Sequence, residues 1–311
     1  MSRLLRDPLT DESILFVPER RDRPNALGQA QGSGEPCPFC PGQEAETPAE
    51  VARIGSAESW KVRVVPNRYP AVGGEGMAGI HEVVIESPDH DATLESMSAT
   101  QRLDVLRAYR GRWNVHSRNR GIRCLVLFRN DGPEAGQTLT HPHAQIIGLP
   151  FVPDRIRRKT AILRSLKREG KACPLCFDDG MEEPLIEQDE LFTTIAPAAS
   201  RSPFHVRIVP RRHAADFGDS SDAELEGLSG SIQRAMAAIR RLQPAASCNL
   251  VFESAPPRGA SRPLFHWSID IVPRLTVLGG FEIATGIWIN VIPPVDAARE
   301  LRTALEEISN A

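Results

Sequence analysis

Two cysteine pairs with the same spacing constrain this chain more than any other feature of its sequence. The first pair is Cys37-Pro38-Phe39-Cys40 and the second is Cys173-Pro174-Leu175-Cys176. One Cys-x-x-Cys pair alone is compatible with a metal site, a redox motif or two buried thiols. Two pairs of the same composition indicate an internal repeat and favour metal binding over a disulfide framework.

Three further segment pairs match in the same order along the chain. They are 81–90 with 204–213, 124–128 with 248–252, and 141–147 with 266–272. The first match aligns His81 with Phe204. The offsets at the two terminal histidines, the two cysteines and the two later histidines stay between 123 and 125 residues. We therefore interpret residues 1–150 and 151–311 as two copies of one unit, joined by a basic, proline-bounded linker near residues 150–172.

Each copy shows the same order of predicted elements. Apolar residues recur at helical spacing over Ala99–Asn119 and Ala223–Leu242. The runs Ile122–Phe128 and Asn249–Phe252 indicate buried strands, and Pro293–Ala311 predicts a closing helix. The expected fold class is α+β, with antiparallel sheets packed against helices in two tandem units.

Each copy also supplies two histidines that could complete a metal site with its cysteine pair. The predicted ligand sets are Cys37, Cys40, His90 and His141, and Cys173, Cys176, His213 and His266. A Cys2His2 set fills all four tetrahedral positions, so both are expected to be structural zinc sites. His81 lies near His90 and competes with it, but the repeat favours His90. Cys124 and Cys248 are predicted to lie in the middle of strands, and His116 on the polar side of a helix. These three residues and His205 are interpreted as core residues without a catalytic or metal-binding role.

The run His141-Pro142-His143-Ala144-Gln145 carries the predicted chemistry. Alternate residues of a strand point to one face, so His141, His143 and Gln145 are expected to lie side by side. Zinc bound to His141 would stiffen the strand that presents His143. A neutral imidazole attacks phosphorus at pH 7, and Gln145 could donate a hydrogen bond to a phosphoryl oxygen.

The second copy keeps His266 but replaces the other two residues. Ser268 stands where His143 stands in the first copy, and Asp270 stands where Gln145 does. The sequence thus separates the metal role from the catalytic role and predicts one active centre per chain. The glycine-bearing loop 130–140 before the strand could offer backbone N–H groups to a phosphate.

The His-Pro-His-x-Gln run resembles the active-site motif of the galactose-1-phosphate uridylyltransferase family, a branch of the histidine-triad superfamily. The resemblance covers nearly the whole chain, through the segments 7–10, 65–71, 87–90, 128–132 and 280–282. It implies tandem histidine-triad-like units and a double displacement, in which His143 takes a nucleotidyl group from a nucleotide sugar and passes it to a sugar 1-phosphate. It also implies a homodimer whose partner chain completes the site.

The resemblance assigns roles to further residues by position. The phosphates would be held by Asn130, Gly136, Thr138 and Gln145, the nucleotide would lie near Arg20, Arg23 and Asn67, and the sugar hydroxyls would meet Glu282. The chain departs from the family at Ser268-Ile269-Asp270, where the galactose enzymes often carry a His-x-His pair. It also lacks a lysine in 276–279 and carries Arg68 where some members have an acid.

The second Cys-x-x-Cys pair with His213 and His266 resembles the subgroup that includes ADP-glucose phosphorylase. That relative uses the same histidine but passes the nucleotide to inorganic phosphate. Phosphorolysis or hydrolysis of a nucleotide sugar or dinucleotide therefore stays open as the alternative function.

The net charge and the apolar pattern of the chain limit its possible partners and its location. A net charge of −3 gives no electrostatic reason to expect a nucleic acid or a membrane. A zinc-bearing binding module would explain the cysteine pairs but not the loss of the second nucleophile. The basic runs 20–23 and 155–159 are interpreted as solvated surface or as contacts to a small anion. No apolar stretch reaches membrane-spanning length and the first residues lack a secretory pattern, so a cytoplasmic location is expected.

Overall fold

In the computed structural model, the described residues (3–6, 12–17, 20, 36–74, 76–177 and 184–310) form twelve strands and five α-helices. The strands are β1 Arg3–Arg6, β2 Ser13–Phe16, β3 Ala52–Gly55, β4 Trp60–Pro66, β5 Ile80–Ile85, β6 Cys124–Asp131, β7 His143–Leu149, β8 Leu185–Gln188, β9 Phe192–Ile195, β10 Val206–Pro210, β11 Cys248–Glu253 and β12 Ser268–Pro273. The helices are α1 Ala99–Ser117, α2 Asp154–Arg168, α3 Asp222–Leu242, α4 Gly280–Thr285 and α5 Pro294–Ser309.

Ten of these strands form one antiparallel sheet, while β1 and β2 pair with each other. The order across the sheet is β3-β4-β5-β7-β6-β11-β12-β10-β9-β8. From one outer edge to the centre the strands are β3-β4-β5-β7-β6, and from the other edge they are β8-β9-β10-β12-β11. Each half thus places its first, second, third, fifth and fourth strands in that order. This correspondence supports the proposed duplication, and the pairing of β6 with β11 joins the two halves at the centre.

The strand register corrects one alignment made from the sequence. Val83 on β5 pairs with Gln145, and Arg207 on β10 pairs with the equivalent residue Asp270. Two residues before Val83 is His81, and two residues before Arg207 is His205. His81 is therefore equivalent to His205 and not to Phe204. The stretch that leads to the terminal histidine is one residue shorter in the second half, and this difference displaced the alignment.

The two faces of the sheet have different surroundings. One face carries the main core, with side chains such as Val64, Val84, Leu127, Ile146 and Leu250 buried beneath α1, α3 and α5. The opposite face carries a smaller apolar cluster, formed by Phe39, Trp60, Val65, Val83 and Ile85. Because strand side chains alternate, His143 and Gln145 lie on this second face, with Ala144 and Ile146 in the main core.

The predicted helices begin at capping residues. Ser98 accepts a hydrogen bond from the backbone of Gln101 at the start of α1, and Ser221 and Glu224 form a capping box on α3. The fold class and the closing helix α5 agree with the sequence prediction. The predicted linker contains a helix, the basic α2. None of the described helices is both long and apolar enough to cross a membrane.

Smaller corrections concern individual residues. Cys124 and Cys248 are the first residues of their strands and not mid-strand, but both are buried, and burial raises the pKa of each thiol to about 12. His116 is not on a polar helix surface but is buried, with Nε2 3.0 Å from Glu82. His141 lies before β7 begins, so only His143 and Gln145 share a strand face.

Candidate active site and metal centres

The first cysteine pair converges with two histidines. Cys37, Cys40, His90 and His141 place one ligand atom each within 4.8 Å of all the others. The pair lies in a tight turn closed by a hydrogen bond from the Cys40 N–H to the Cys37 carbonyl, 3.1 Å. His90 is therefore the histidine that joins His141 in this group, and the competing candidate His81 is not part of it.

The second pair forms an equivalent group in the other half. Cys173, Cys176, His213 and His266 also lie within 4.8 Å of one another by their ligand atoms. The same turn hydrogen bond, from Cys176 N–H to the Cys173 carbonyl, measures 3.1 Å. Both sets named from the sequence are therefore brought together.

Their geometry fits a tetrahedral zinc ion. Zinc bound to sulfur and imidazole nitrogen at ordinary lengths holds the two atoms about 3.6 Å apart. In the first group Cys40 Sγ lies 3.3 Å from His90 Nδ1 and 3.6 Å from His141 Nδ1. In the second group the sulfur to Nδ1 distances are 3.2, 3.5 and 3.7 Å. Both groups are compatible with metal sites.

One buried histidine in each group, His141 and His266, also presents the tautomer that a metal needs. His141 Nε2 lies 2.8 Å from the carbonyl of Ser87, and His266 Nε2 lies 2.8 Å from that of Pro210. A carbonyl only accepts, so both rings carry their proton on Nε2 and their lone pair on Nδ1, facing the sulfurs. Burial lowers the pKa of each of these two histidines to about 4, which keeps both neutral at pH 7.

His143 is connected to the first group through the backbone. Its Nδ1 donates to the carbonyl oxygen of His141, 2.8 Å away, so the neutral ring bears its lone pair on Nε2. The ring is buried and packs edge-on against Phe39, with centroids 5.4 Å apart. Phe39 lies between Cys37 and Cys40 in the sequence, so residues of the Cys2His2 segment contact the His143 ring on two sides.

Gln145, two residues further along the same strand face, belongs to a buried hydrogen-bond chain. Its Oε1 lies 2.8 Å from His81 Nε2, and His81 Nδ1 accepts from the backbone N–H of Ala71 at 2.9 Å. Asn67 Nδ2 lies 3.1 Å from the same His81 nitrogen. Asn67 and Gln145 were both predicted to lie at the site, whereas His81 between them was considered only as a competing metal ligand.

Asn130 lies beside His143 on the neighbouring strand. Arg129 pairs with Ala144, which places the next residue, Asn130, next to the nucleophile on the same face. Its Nδ2 donates to the carbonyl of Gly136 at 3.3 Å. Asn249 from the second half donates to Asn130 Oδ1 at 3.0 Å and to the Ala135 carbonyl at 2.9 Å. Asn249 was not predicted as a site residue, because its partner Asn130 lies 119 residues away in the sequence.

The loop between β6 and β7 is held in shape by glycines and by Gln137. Gly132 has φ 93°, and a Cβ there would lie 2.3 Å from Ser247 Oγ, so only glycine fits. The Gly132 N–H donates to Gln137 Oε1 at 2.6 Å, and the Gln137 amide donates to the Thr140 carbonyl at 3.1 Å. Gly136, with φ 85°, and the half-buried Thr138 belong to this loop.

A cavity of about 300 Å³ continues this face across the junction of the halves. Its polar and aromatic lining includes Asn130, Asn249, Arg155, Arg201, Arg274 and Trp288. None of the described residues that line it is acidic. Arg155, from the basic run noted in the sequence, lies at this cavity and is ion-paired with Glu253, which is not part of the lining.

The equivalent position in the second half holds an ion pair. Arg207 donates to both oxygens of Asp270, at 2.7 and 3.0 Å, and His205 Nε2 lies 3.3 Å from Asp270 Oδ1. Burial acts to raise the pKa of the Asp270 carboxyl, but His205 and Arg207 outweigh it and hold that pKa well below its ordinary value. Ser268 Oγ is buried without a hydrogen-bond partner among the described residues.

Three residues named from the sequence are not joined to this site. Arg20 is half-buried, burial lowers the pKa of its guanidinium, and no contact between described residues links it to His143. Glu282 Oε2 accepts from the Gly279 N–H at 3.0 Å on the exposed helix α4. Arg23 lies outside the described residues.

The known proteins to which this chain is similar agree with the geometry of the site. Residues 73–153 match the family described as "Galactose-1-phosphate uridyl transferase, N-terminal domain". The chain is 30% identical to ADP-glucose phosphorylase from Arabidopsis thaliana over 96% of its own length and 92% of that protein. It is 27% identical to galactose-1-phosphate uridylyltransferase from Thermotoga maritima, covering 99% and 100% of the two chains.

The fold agrees with these relatives. The crystal structure of the Arabidopsis thaliana ADP-glucose phosphorylase with bound ADP-glucose superposes with a TM-score of 0.81, covering 97% of this chain and 99% of that one at 30% identity. The chain belongs to the galactose-1-phosphate uridylyltransferase family of nucleotidyltransferases, within which it is similar to ADP-glucose phosphorylase.

Proposed function

We propose that this protein is a hexose-1-phosphate nucleotidylyltransferase that works through a covalent nucleotidyl group on His143. The observation that carries the proposal is the hydrogen bond of 2.8 Å from His143 Nδ1 to the His141 carbonyl. It orients the ring and leaves the lone pair on Nε2, the nitrogen that can attack phosphorus.

In the first half-reaction, Nε2 attacks the α-phosphorus of a nucleotide sugar. The new bond is P–N, and the P–O bond to the departing sugar 1-phosphate breaks with its electron pair on oxygen. The ring gains positive charge as the bond forms, and the His141 carbonyl stabilises the Nδ1 proton through its dipole. In the second half-reaction a phosphate oxygen of the acceptor attacks the same phosphorus, and Nε2 leaves with its lone pair.

The neighbouring residues support binding of the phosphates. Gln145 and Asn130 lie beside the nucleophile on one face of the sheet, and Gly136 and Thr138 belong to the loop that Asn130 contacts. The cavity with Arg155, Arg201 and Arg274 would attract the anionic sugar phosphate. We assign the nucleotide to the side of Asn67 with Arg20 and Arg23, and sugar hydroxyls to Glu282.

Two structural zinc ions per chain are part of the proposal. Zinc would be held by the two Cys2His2 groups, whose distances fit it, and would stabilise the fold without entering the reaction. Metal analysis of the purified protein should give two zinc per chain, and a count of zero or one would contradict the assignment.

We further propose a homodimer. The segment around α4 exposes apolar side chains that one chain alone leaves in water, including Val277 at 90%, Ile283 at 75% and Val291 at 71%. Such a patch is typical of a protein interface. A second copy of the chain covering it would also bring Glu282 of that copy to another protomer's surface. The cytoplasmic location stays a prediction.

A second candidate function differs only in the acceptor. The 30% identity to ADP-glucose phosphorylase over nearly the whole chain favours inorganic phosphate as the acceptor, with an adenine nucleotide as donor. The nucleophile and the first half-reaction would be the same.

The test is intact-mass analysis after mixing the protein with UDP-glucose or with ADP-glucose. A mass increase of UMP or AMP that is lost in His143→Ala identifies the base and the nucleophile together. Adding galactose 1-phosphate or inorganic phosphate to the adduct then identifies the acceptor by which of them discharges it. Absence of an adduct with every nucleotide sugar tested contradicts the proposal.

A further inference from the structure

His81 is a buried residue of β5 and lies on the same face of the sheet as His143 and Gln145. Both of its ring nitrogens are engaged. The backbone N–H of Ala71 points at Nδ1 from 2.9 Å, and Gln145 Oε1 lies 2.8 Å from Nε2. The ring therefore connects a fixed backbone group to a side chain next to His143.

The backbone contact decides the tautomer. A backbone N–H can only donate, so Nδ1 of His81 must be the acceptor. In the neutral ring the proton is then on Nε2, and this N–H donates to Gln145 Oε1. The Asn67 amide cannot accept this hydrogen bond, because its Oδ1 accepts from the Tyr69 N–H at 2.8 Å and the atom it places 3.1 Å from Nε2 is the donor Nδ2. Gln145 Oε1 is therefore the acceptor that the described residues offer to the Nε2–H.

The tautomer in turn decides the orientation of the Gln145 amide. An amide can rotate by half a turn and exchange its oxygen and nitrogen at little steric cost. Here the exchanged form would leave the buried Nε2–H of His81 facing two amide donors, from Gln145 and Asn67, with no acceptor among the described residues, which costs the full desolvation of that N–H. Oε1 therefore faces His81, and the two N–H bonds of Gln145 are directed away from it.

No described residue accepts a hydrogen bond from Gln145 Nε2. Gln145 and His143 share a strand face two residues apart, so this donor is available to an oxygen on the phosphorus that His143 attacks. We propose that His81 is a positioning residue, which fixes the Gln145 amide with its donors toward the phosphoryl group. The proposal rests on the proposed function.

The second half supports this interpretation. The equivalent residues His205 and Asp270 are also adjacent, with Nε2 3.3 Å from Oδ1. A carboxylate has no donor to present and needs no choice of orientation, and that half has Ser268 in place of the nucleophile. The histidine can therefore affect phosphoryl transfer only in the first half, where its partner is an amide whose orientation it fixes.

The test is a double-mutant cycle on the rate of adduct formation in a single turnover. His81→Phe keeps a planar ring but removes the donor, and Gln145→Ala removes the residue through which His81 acts. We expect His81→Phe to slow adduct formation roughly 10-fold with KM changed less than kcat. In the Gln145→Ala background the same substitution should change the rate less than about two-fold. His81→Gln, which can donate from its amide, should restore part of the rate.

Metal content and melting temperature of each variant show whether the fold is retained. Additive losses in the double variant would overturn the positioning role, as would a rate in His81→Phe equal to that of the wild type. A wild-type protein that forms no adduct overturns the proposed function itself and this inference with it, so the two failures are distinguishable.

Discussion

The two halves of this sheet have equivalent Cys2His2 groups and different side chains beside them. In the first half His141 is followed by His143 and Gln145, and in the second His266 is followed by Ser268 and Asp270. His143 and Gln145 offer a nitrogen lone pair and an amide, whereas Asp270 in the second half is bound in an ion pair with Arg207. The Cys2His2 group is thus common to both halves, and the proposed reactivity depends on the two side chains that differ.

The largest expected effect separates the two positions directly. His143→Ala should lower kcat by about 10⁴-fold or more, because no other group can carry the nucleotidyl intermediate. The matched substitution Ser268→Ala should leave kcat within about two-fold and should not destabilise the fold, since the buried Ser268 Oγ has no hydrogen-bond partner in the described part of the chain. Steady-state rates and thermal melts of both variants make the comparison. Loss of activity in Ser268→Ala would show a role for the second half in the chemistry.

Disrupting the two Cys2His2 groups should also affect the rate unequally, with the larger loss in the first half. Cys40→Ser and Cys176→Ser are each expected to lower the zinc content from two per chain to one. Cys40→Ser loosens the backbone that orients His143 and should cost roughly 10- to 100-fold in kcat. Cys176→Ser should mainly lower the melting temperature, with a smaller loss of rate. Metal analysis and kinetics on the same preparations test this, and equal losses of rate would remove the distinction.

A residue of the second half should nevertheless affect the first. Asn249→Ala removes two hydrogen bonds, to Asn130 Oδ1 and to the Ala135 carbonyl, that hold the phosphate loop. We expect kcat/KM to fall about 10-fold, with zinc content retained. Asn249→Asp, which keeps the shape but loses the donor, serves as the matched control and should behave alike. A wild-type kcat/KM in both variants would contradict the role of Asn249.

The smallest effect on turnover is expected at Asp270. Because the folded-state pKa of this carboxyl is depressed, its ion pair stabilises the fold above the ordinary carboxyl pKa of about 3.9 and loses that contribution as the pH falls below it. Asp270→Asn should therefore destabilise the protein by about 2 kcal/mol at pH 7, and by less at pH 3.5. Urea unfolding at both pH values measures this. The stability difference caused by Gln145→Ala, at the equivalent uncharged position, should not change over that range.

The sequence sufficed for the features that recur at fixed spacing. Both Cys2His2 groups, with His141 inside the first and His143 outside it, and the helices α1 and α3 follow from local patterns and the repeat. The roles of His81 and Asn249 did not follow, because their partners lie 64 and 119 residues away and one contact depends on a backbone N–H. A one-residue length difference before His213 also hid the equivalence of His81 and His205, which only strand pairing reveals.

The central pairing of β6 with β11 has a consequence for aggregation. These two strands, eight and six residues long, would be open edges if either half stood alone, and unpaired edges recruit other strands. The joined sheet instead ends at β3 and β8, each four residues long and each with an irregular register against its neighbour. Short, irregular edges are poor templates for strand addition. A fragment cut near residue 150 should therefore precipitate where the whole chain stays dispersed.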